Sequence, residues 1–119
     1  MTEAADTGWM TQVKKGLLDL CILNLLSREA LYGYQIVKHL TAAPGLVVTE
    51  GTVYPLLYRL KKDGLLKTTL EESSLGPVRR NYELTALGRR RLAELNLGWR
   101  RIQKAVDGFV SPESQGERG

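Results

Sequence analysis

The chain has 119 residues, 43% hydrophobic and 25% charged, enough for one compact domain around one core and unlike any disordered or fibrous class. Its 17 Lys and Arg outnumber 13 Asp and Glu, for a net charge of +4, a modestly basic balance that suits a polyanionic partner without demanding one. The single cysteine, Cys21, excludes an intrachain disulfide, and the single histidine, His39, has no second His or Cys nearby to complete a metal site, which also removes Ser-His-Asp and Cys-His centres as ready options and leaves only Lys- or Asp-based chemistry open.

No enzyme activity, metal or cofactor is therefore expected. Cys21 lies in an apolar run and is expected to act as a small core hydrophobe. The longest apolar stretch, residues 17–26, is interrupted by Asp19 and Asn24 and reaches about half the ~20 residues of a membrane span. The opening MTEAADTGWM is polar and acidic, unlike a secretory leader, so a soluble cytoplasmic protein is expected.

Residues 1–10 have no periodicity and are expected to be flexible; Trp9 either packs beside a later interface or stays exposed. Residues 11–27 read as a helix whose apolar positions (17, 18, 20–23, 25 and 26) cover nearly its whole circumference. Such a helix must be covered on two sides. A domain of this size covers one, so the other is expected to meet a partner chain. A second helix, residues 32–43, carries the stripe Ile36, Val37 and Leu40 and stops at Pro44-Gly45. Thr49 then opens a third helix to Asp63, with Gly64 as its stop.

Residues 66–72 and 78–84 alternate weakly around a Gly-Pro turn and read as a β-hairpin. Thr85 caps a last helix to about Phe109, and residues 111–119 form a polar, disordered tail. The order gives a mainly α chain. Residues 11–84 form a winged helix-turn-helix of three helices plus a two-stranded β-wing, and residues 85–110 form a C-terminal dimerisation helix.

On a helical wheel of the third helix, Val53, Leu56, Leu57 and Leu60 share one side, while Gly51, Tyr54, Pro55, Tyr58, Arg59 and Lys62 share the other. That outer side has no acid and presents two phenols and two cations. An α-helix fits the major groove of duplex DNA, where Thr and Arg reach base edges and Tyr hydroxyls bond phosphate. Pro55 leaves two starts open: with Thr49 as cap it falls inside the helix, and with Thr52 as cap it falls within the first turn.

After the hairpin turn, Arg79 and Arg80 suit a narrow minor groove beside the major-groove site. Neighbouring strand residues point to opposite faces, so one of the two is expected to face DNA; protection of an edge strand by charge is the alternative. The last helix carries Leu92, Leu95, Trp99, Ile102, Val106 and Phe109 at alternating steps of three and four. This is an a/d seam suited to a coiled-coil-like homodimer, part of which could instead pack on the domain's own core.

The segments LYGYQI (31–36), TEGTVYPLLYRL (49–60), DGLL (63–66) and GPVRRNYELTALG (76–88) resemble, in this order, the PadR family of bacterial transcription regulators, in its short form with one C-terminal helix. The resemblance implies a dimeric winged helix-turn-helix, usually a repressor, on an inverted-repeat operator. By position it assigns Thr52 and Tyr54 to DNA contact and places Tyr34 and Lys38 near the DNA backbone. Many relatives carry a longer coiled-coil extension where this chain carries one helix. In some multidrug regulators of the family, paired tryptophans matching Trp99 line a pore for planar aromatic ligands, which makes such a small molecule the implied effector. Two other functions fit the same fold: a winged-helix protein-interaction module, which would show an apolar patch on the third helix, and a small-molecule-binding protein without operator DNA.

Overall fold

A computed structural model describes residues 2–73 and 76–111, so the tip of the hairpin and the expected tail beyond Ser111 lie outside the described residues. Helix α1 (Thr2–Arg28) is followed by a short strand β1 (Leu31–Tyr32) and helices α2 (Gly33–Ala42) and α3 (Glu50–Lys62). Strands β2 (Leu66–Ser73) and β3 (Gly76–Leu84) precede the long helix α4 (Ala86–Val110). No helix among the described residues is long and apolar enough to cross a membrane.

Three boundaries differ from the sequence expectation. Helix α1 starts at Thr2, nine residues before the periodic apolar pattern suggests, because the run TEAAD has good helix propensity without any apolar stripe to reveal it. The sheet has three antiparallel strands in the order β1-β3-β2, not two. The added strand is only two residues long, too short to show alternation. It pairs because Leu31, buried in the core, lies opposite Tyr82. Helix α2 accordingly starts after Tyr32, whose backbone N–H donates to the Gln35 side chain at 2.8 Å.

The start of α3 is now fixed. The N–H groups of Thr52 and Val53 both donate to the Thr49 carbonyl, at 3.0 and 3.2 Å, so Thr49 is the cap and Pro55 stands inside the helix. Having no N–H, Pro55 leaves the Gly51 carbonyl without its intrahelical partner. The helix persists because Val53, Leu57 and Leu60 are fully buried along its inner side, burial worth about 1.5–3 kcal/mol for each side chain.

Its end is closed by Gly64, at a φ of +82°. The Gly64 N–H donates to Lys61 and the Leu65 N–H reaches back to Leu60, both at 3.0 Å. This paired closure uses the left-handed residue that glycine adopts without steric cost.

Leu65 and Leu66 then enter the core, where they join Ile22, Leu23 and Leu26 of α1, Ile36 and Leu40 of α2, the inner side of α3, and Tyr82 and Leu84 of β3. Cys21 packs half-buried against this core, and burial pushes its thiol pKa up.

Helix α4 is pinned at its first turn. Thr85 Oγ1 accepts from the Gly88 N–H at 3.0 Å and donates to the Gly64 carbonyl at 2.6 Å. A Cβ on Gly88 would sit 2.2 Å from the Leu65 carbonyl oxygen, so only glycine allows this approach. Farther along, Asn24 of α1 and Asn96 of α4 exchange reciprocal amide hydrogen bonds at 2.9 and 3.0 Å. Of the expected seam on α4, only Leu92 reaches the core. Leu95, Ile102, Val106 and Phe109 are exposed and Trp99 is half-buried.

Candidate nucleic-acid interface

The first residues of α2, the middle of α3 and the wing meet along one side of the domain. Tyr54 on α3 leans over Gly33, where an added Cβ would stand 3.0 Å from the Tyr54 ring. The motif LYGYQI thus places a glycine between two tyrosines so that a third can pack across the gap. Burial, followed by the charge of Glu50 and the neighbouring Tyr82, raises the Tyr54 pKa. A phenol is protonated and able to donate at neutral pH in any case, and the shift extends that state further into the alkaline range.

Beside it, Tyr32 and Tyr34 stack with ring centres 6.0 Å apart and planes 10° from parallel. The Arg79 guanidinium lies over both rings, 5.5 and 5.7 Å from their centres, within the range of a cation–π attraction. Tyr32 also donates its hydroxyl to Glu71, the residue opposite Arg79 in the β2–β3 register. That bond, ahead of partial desolvation and the Glu71 charge, raises the Tyr32 pKa.

Arg80 points to the other face of the strand, the one that carries Tyr82 and Leu84 into the core at its base. With Tyr54, Gly33, Leu70 and Val78 it lines a groove of about 520 Å³ between the wing and the helices. The two wing arginines thus occupy opposite faces. Arg79 is held against Tyr32 and Tyr34, and both arginines border the groove.

The other candidates are spread more widely. Tyr58 and Lys62 are exposed on the outer side of α3. Lys38 lines a separate shallow groove on α2 with Tyr34 and His39. Arg59, by contrast, turns toward α1, where its guanidinium binds both carboxylate oxygens of Asp19 at 2.8 and 3.0 Å and approaches Asp63 at 3.8 Å. Thr52 is exposed in the first turn of α3, where it lines a pocket with Lys14 and Lys15 of α1.

The parts that sequence reasoning missed are Tyr32, Glu71, Gly33 and the pairing of Arg59 with Asp19. Gly33 had a visible signal in its position between tyrosines. Asp19 had one as an acid inside an apolar helix. Tyr32 and Glu71 lie 39 residues apart, with no local pattern to join them.

On the opposite side of the domain, Leu95, Trp99 and Ile102 of α4 face Val13, Leu17 and Leu20 of α1 across an apolar groove of about 290 Å³. No group of three or more His, Cys, Asp or Glu able to hold a metal occurs among the described residues.

The profile of the PadR-like transcriptional regulator family matches residues 22–94, from the last two turns of α1 into α4. The chain belongs to this family. Solved PadR-like structures superpose over most of its length. A PadR-like transcription factor from Bacteroides fragilis is 42% identical, with 84% of this chain and 96% of that chain covered and a TM-score of 0.72. A PadR-like transcriptional regulator from Bacillus cereus is 38% identical, with coverage of 83% and 96% and a TM-score of 0.74.

The PadR protein of Bacillus subtilis, solved in complex with operator DNA, shares the fold at 24% identity and a TM-score of 0.61. It covers 67% of this chain, which spans 46% of that protein. In this PadR-like chain the matched region takes in the whole winged part, so the tyrosine–arginine cluster lies within the family's common frame.

Proposed function

We propose that the protein is a cytoplasmic homodimeric repressor that binds an inverted-repeat operator in duplex DNA through α2, α3 and the wing. The observation that carries this is the groove in which Tyr54 and Arg80 converge, flanked by the Tyr34–Arg79 stack. Hydroxyl and guanidinium donors gathered on one side match phosphate oxygens and base edges. Thr52 and Tyr54 read bases from α3. Tyr34, Lys38, Tyr58, Lys62 and Arg80 contact the backbone, and Arg79 steadies the wing on Tyr32 and Tyr34. Arg59 orders α3 against α1 through Asp19 instead of reading sequence, since its guanidinium is already engaged.

Dimerisation uses the exposed apolar face of α4 and the α1 residues beside it. A twofold pair then presents two copies of α3 to two half-sites. The exposed apolar residues that an interaction module would place on α3 lie instead along α4, where Leu95, Ile102, Val106 and Phe109 form one stripe. That distribution favours a second copy of the chain on α4 and DNA on α3. Trp99, at the edge of the α1–α4 groove, stands where a planar aromatic effector would stack near the twofold axis.

Fluorescence anisotropy with a labelled random-sequence duplex, repeated over a range of salt, tests the DNA reading. Affinity should fall with a log–log slope of about −0.9 for each phosphate neutralised. No binding at micromolar protein in about 50 mM salt, where such electrostatic contacts are strong, would refute it.

A further inference from the structure

A second cleft lies between α1, the connection from α2 to α3, and the first turns of α3. Its apolar lining is aliphatic, with Leu18 from α1, Val47 and Val48 from the connection and Leu56 from α3, and Thr11, Thr49 and Thr52 also border it. Its volume is about 430 Å³. Lys14 and Lys15 stand at the rim, and the Lys14 ammonium donates to the Val47 carbonyl. Lys15 has no ion-pair partner among the described residues, and no acidic or aromatic side chain lines the space. Arg59 also borders the cleft, but its charge is matched by Asp19.

Val47 itself has a φ of +44°, a left-handed conformation that a β-branched residue rarely adopts. Its carbonyl is held there by an ammonium group that another anion would attract. From Val47 the chain runs through Val48 directly into Thr49, the cap of α3. A ligand in this cleft would therefore touch both the strained connection and the start of the helix assigned to DNA.

We propose that this cleft binds an amphipathic organic anion, its flexible aliphatic body against Leu18, Val47, Val48 and Leu56 and its carboxylate on Lys14 and Lys15. Aliphatic walls without an aromatic ring favour an acyl chain over a stacked planar ring. Their apolar character also distinguishes the site from a simple phosphate contact. On taking the Lys14 ammonium, the carboxylate frees the Val47 carbonyl, the connection relaxes, and the first turn of α3 shifts. The binding is independent of the DNA reading; the effect on operator affinity rests on it.

Octanoate and 1-octanol test the assignment, because they share a chain and differ in charge at neutral pH, where a carboxyl is ionised. Each is titrated into the full chain while the methyl resonances of Val47, Val48 and Leu56 are followed. Octanoate should bind about tenfold more tightly than octanol, an increment of the size expected for a charge-assisted contact. Lys14→Gln combined with Lys15→Gln should reduce octanoate to the affinity of octanol and leave octanol unchanged.

Equal affinities in the unaltered chain, octanoate binding that survives the double substitution, or shifts centred on Leu95 and Ile102 would overturn the proposal. So would a double variant that loses duplex affinity in a chain that never binds octanoate, since the lysines would then serve phosphate. Saturating octanoate should change operator affinity measurably, and unchanged affinity would overturn the control role. A chain that binds octanoate as described but no duplex at all would support the cleft and refute the DNA reading.

Discussion

The protein exposes large side chains on two surfaces, and they differ in kind. Along α2, α3 and the wing the exposed large residues are Tyr34, Tyr54 and Tyr58, with Arg79 and Arg80 among them and the aliphatic Leu70 and Val78 on the wing. Along α4 they include Leu95, Ile102, Val106 and Phe109, the last 86% exposed. A tyrosine presents apolar area together with a hydroxyl and can serve a wet, charged partner. A contiguous aliphatic stripe has no such outlet and marks a surface that another protein covers. Chemistry of the exposed groups, not exposure itself, is what distinguishes the proposed nucleic-acid face from the proposed self-association face.

The separation breaks most visibly if the apolar side is disabled. Leu95→Glu with Ile102→Glu should yield monomers in sedimentation and lower operator affinity by about a hundredfold, the scale on which two linked half-sites exceed one. Random-duplex affinity should change far less. A variant that remains a dimer would mean the α4 stripe is misassigned.

The wing gives the next largest effect. Arg79→Ala with Arg80→Ala should weaken operator and random duplex alike by about tenfold and make the salt slope shallower by about one, for the single phosphate contact assigned to Arg80. Loss confined to the operator would move these arginines from general affinity to sequence reading.

Gly33→Ala is a finer probe of the same surface. The added Cβ must displace the Tyr54 ring, so operator affinity should fall by roughly fivefold and discrimination at the adjacent base pair should relax, as for a lost base-edge contact. Circular dichroism and random-duplex affinity should stay near those of the unaltered chain. An equal loss on random duplex would show that Tyr54 serves the backbone.

The smallest effect concerns Cys21, on the helix that borders the apolar side. Burial raises its thiol pKa, so less thiolate is present at pH 8 than for a free cysteine, and alkylation by iodoacetamide should be slower by roughly severalfold in the folded chain. The sign follows from the shift. A raised pKa favours the protonated thiol in the fold, so its contribution to stability is present at neutral pH and lost as pH rises through the folded value. Equal rates in folded and denatured chains would show that the thiol is not shielded.

Much of the architecture was readable from periodicity. The stripe on α3 and the Gly64 stop were expected, and Val53, Leu57 and Leu60 are buried as that stripe requires. Strand β1 was not readable, because two residues carry no alternation and their pairing partners, Tyr82 and Asn81, lie in a strand far along the sequence. The first nine residues of α1 were missed for the opposite reason, as they have propensity without pattern.

At the site, the outer side of α3 identified Tyr54 and Tyr58, but a helical wheel treats all outward residues as equivalent. It could not show that Arg59 would be drawn to Asp19, 40 residues earlier. Nor could it show that Arg79 would settle on two tyrosines while Arg80 took the opposite face of the strand. Such divisions depend on contacts between elements, which no local spacing encodes.

Selection of bound sequences from a random duplex pool, at low and at moderate salt, tests the central claim most directly. The account predicts enrichment of an inverted repeat whose half-sites lie about one helical turn apart, ~10 base pairs between centres, with sharper enrichment at the higher salt. A pool that shows no enriched sequence, or a single site without twofold symmetry, would contradict it.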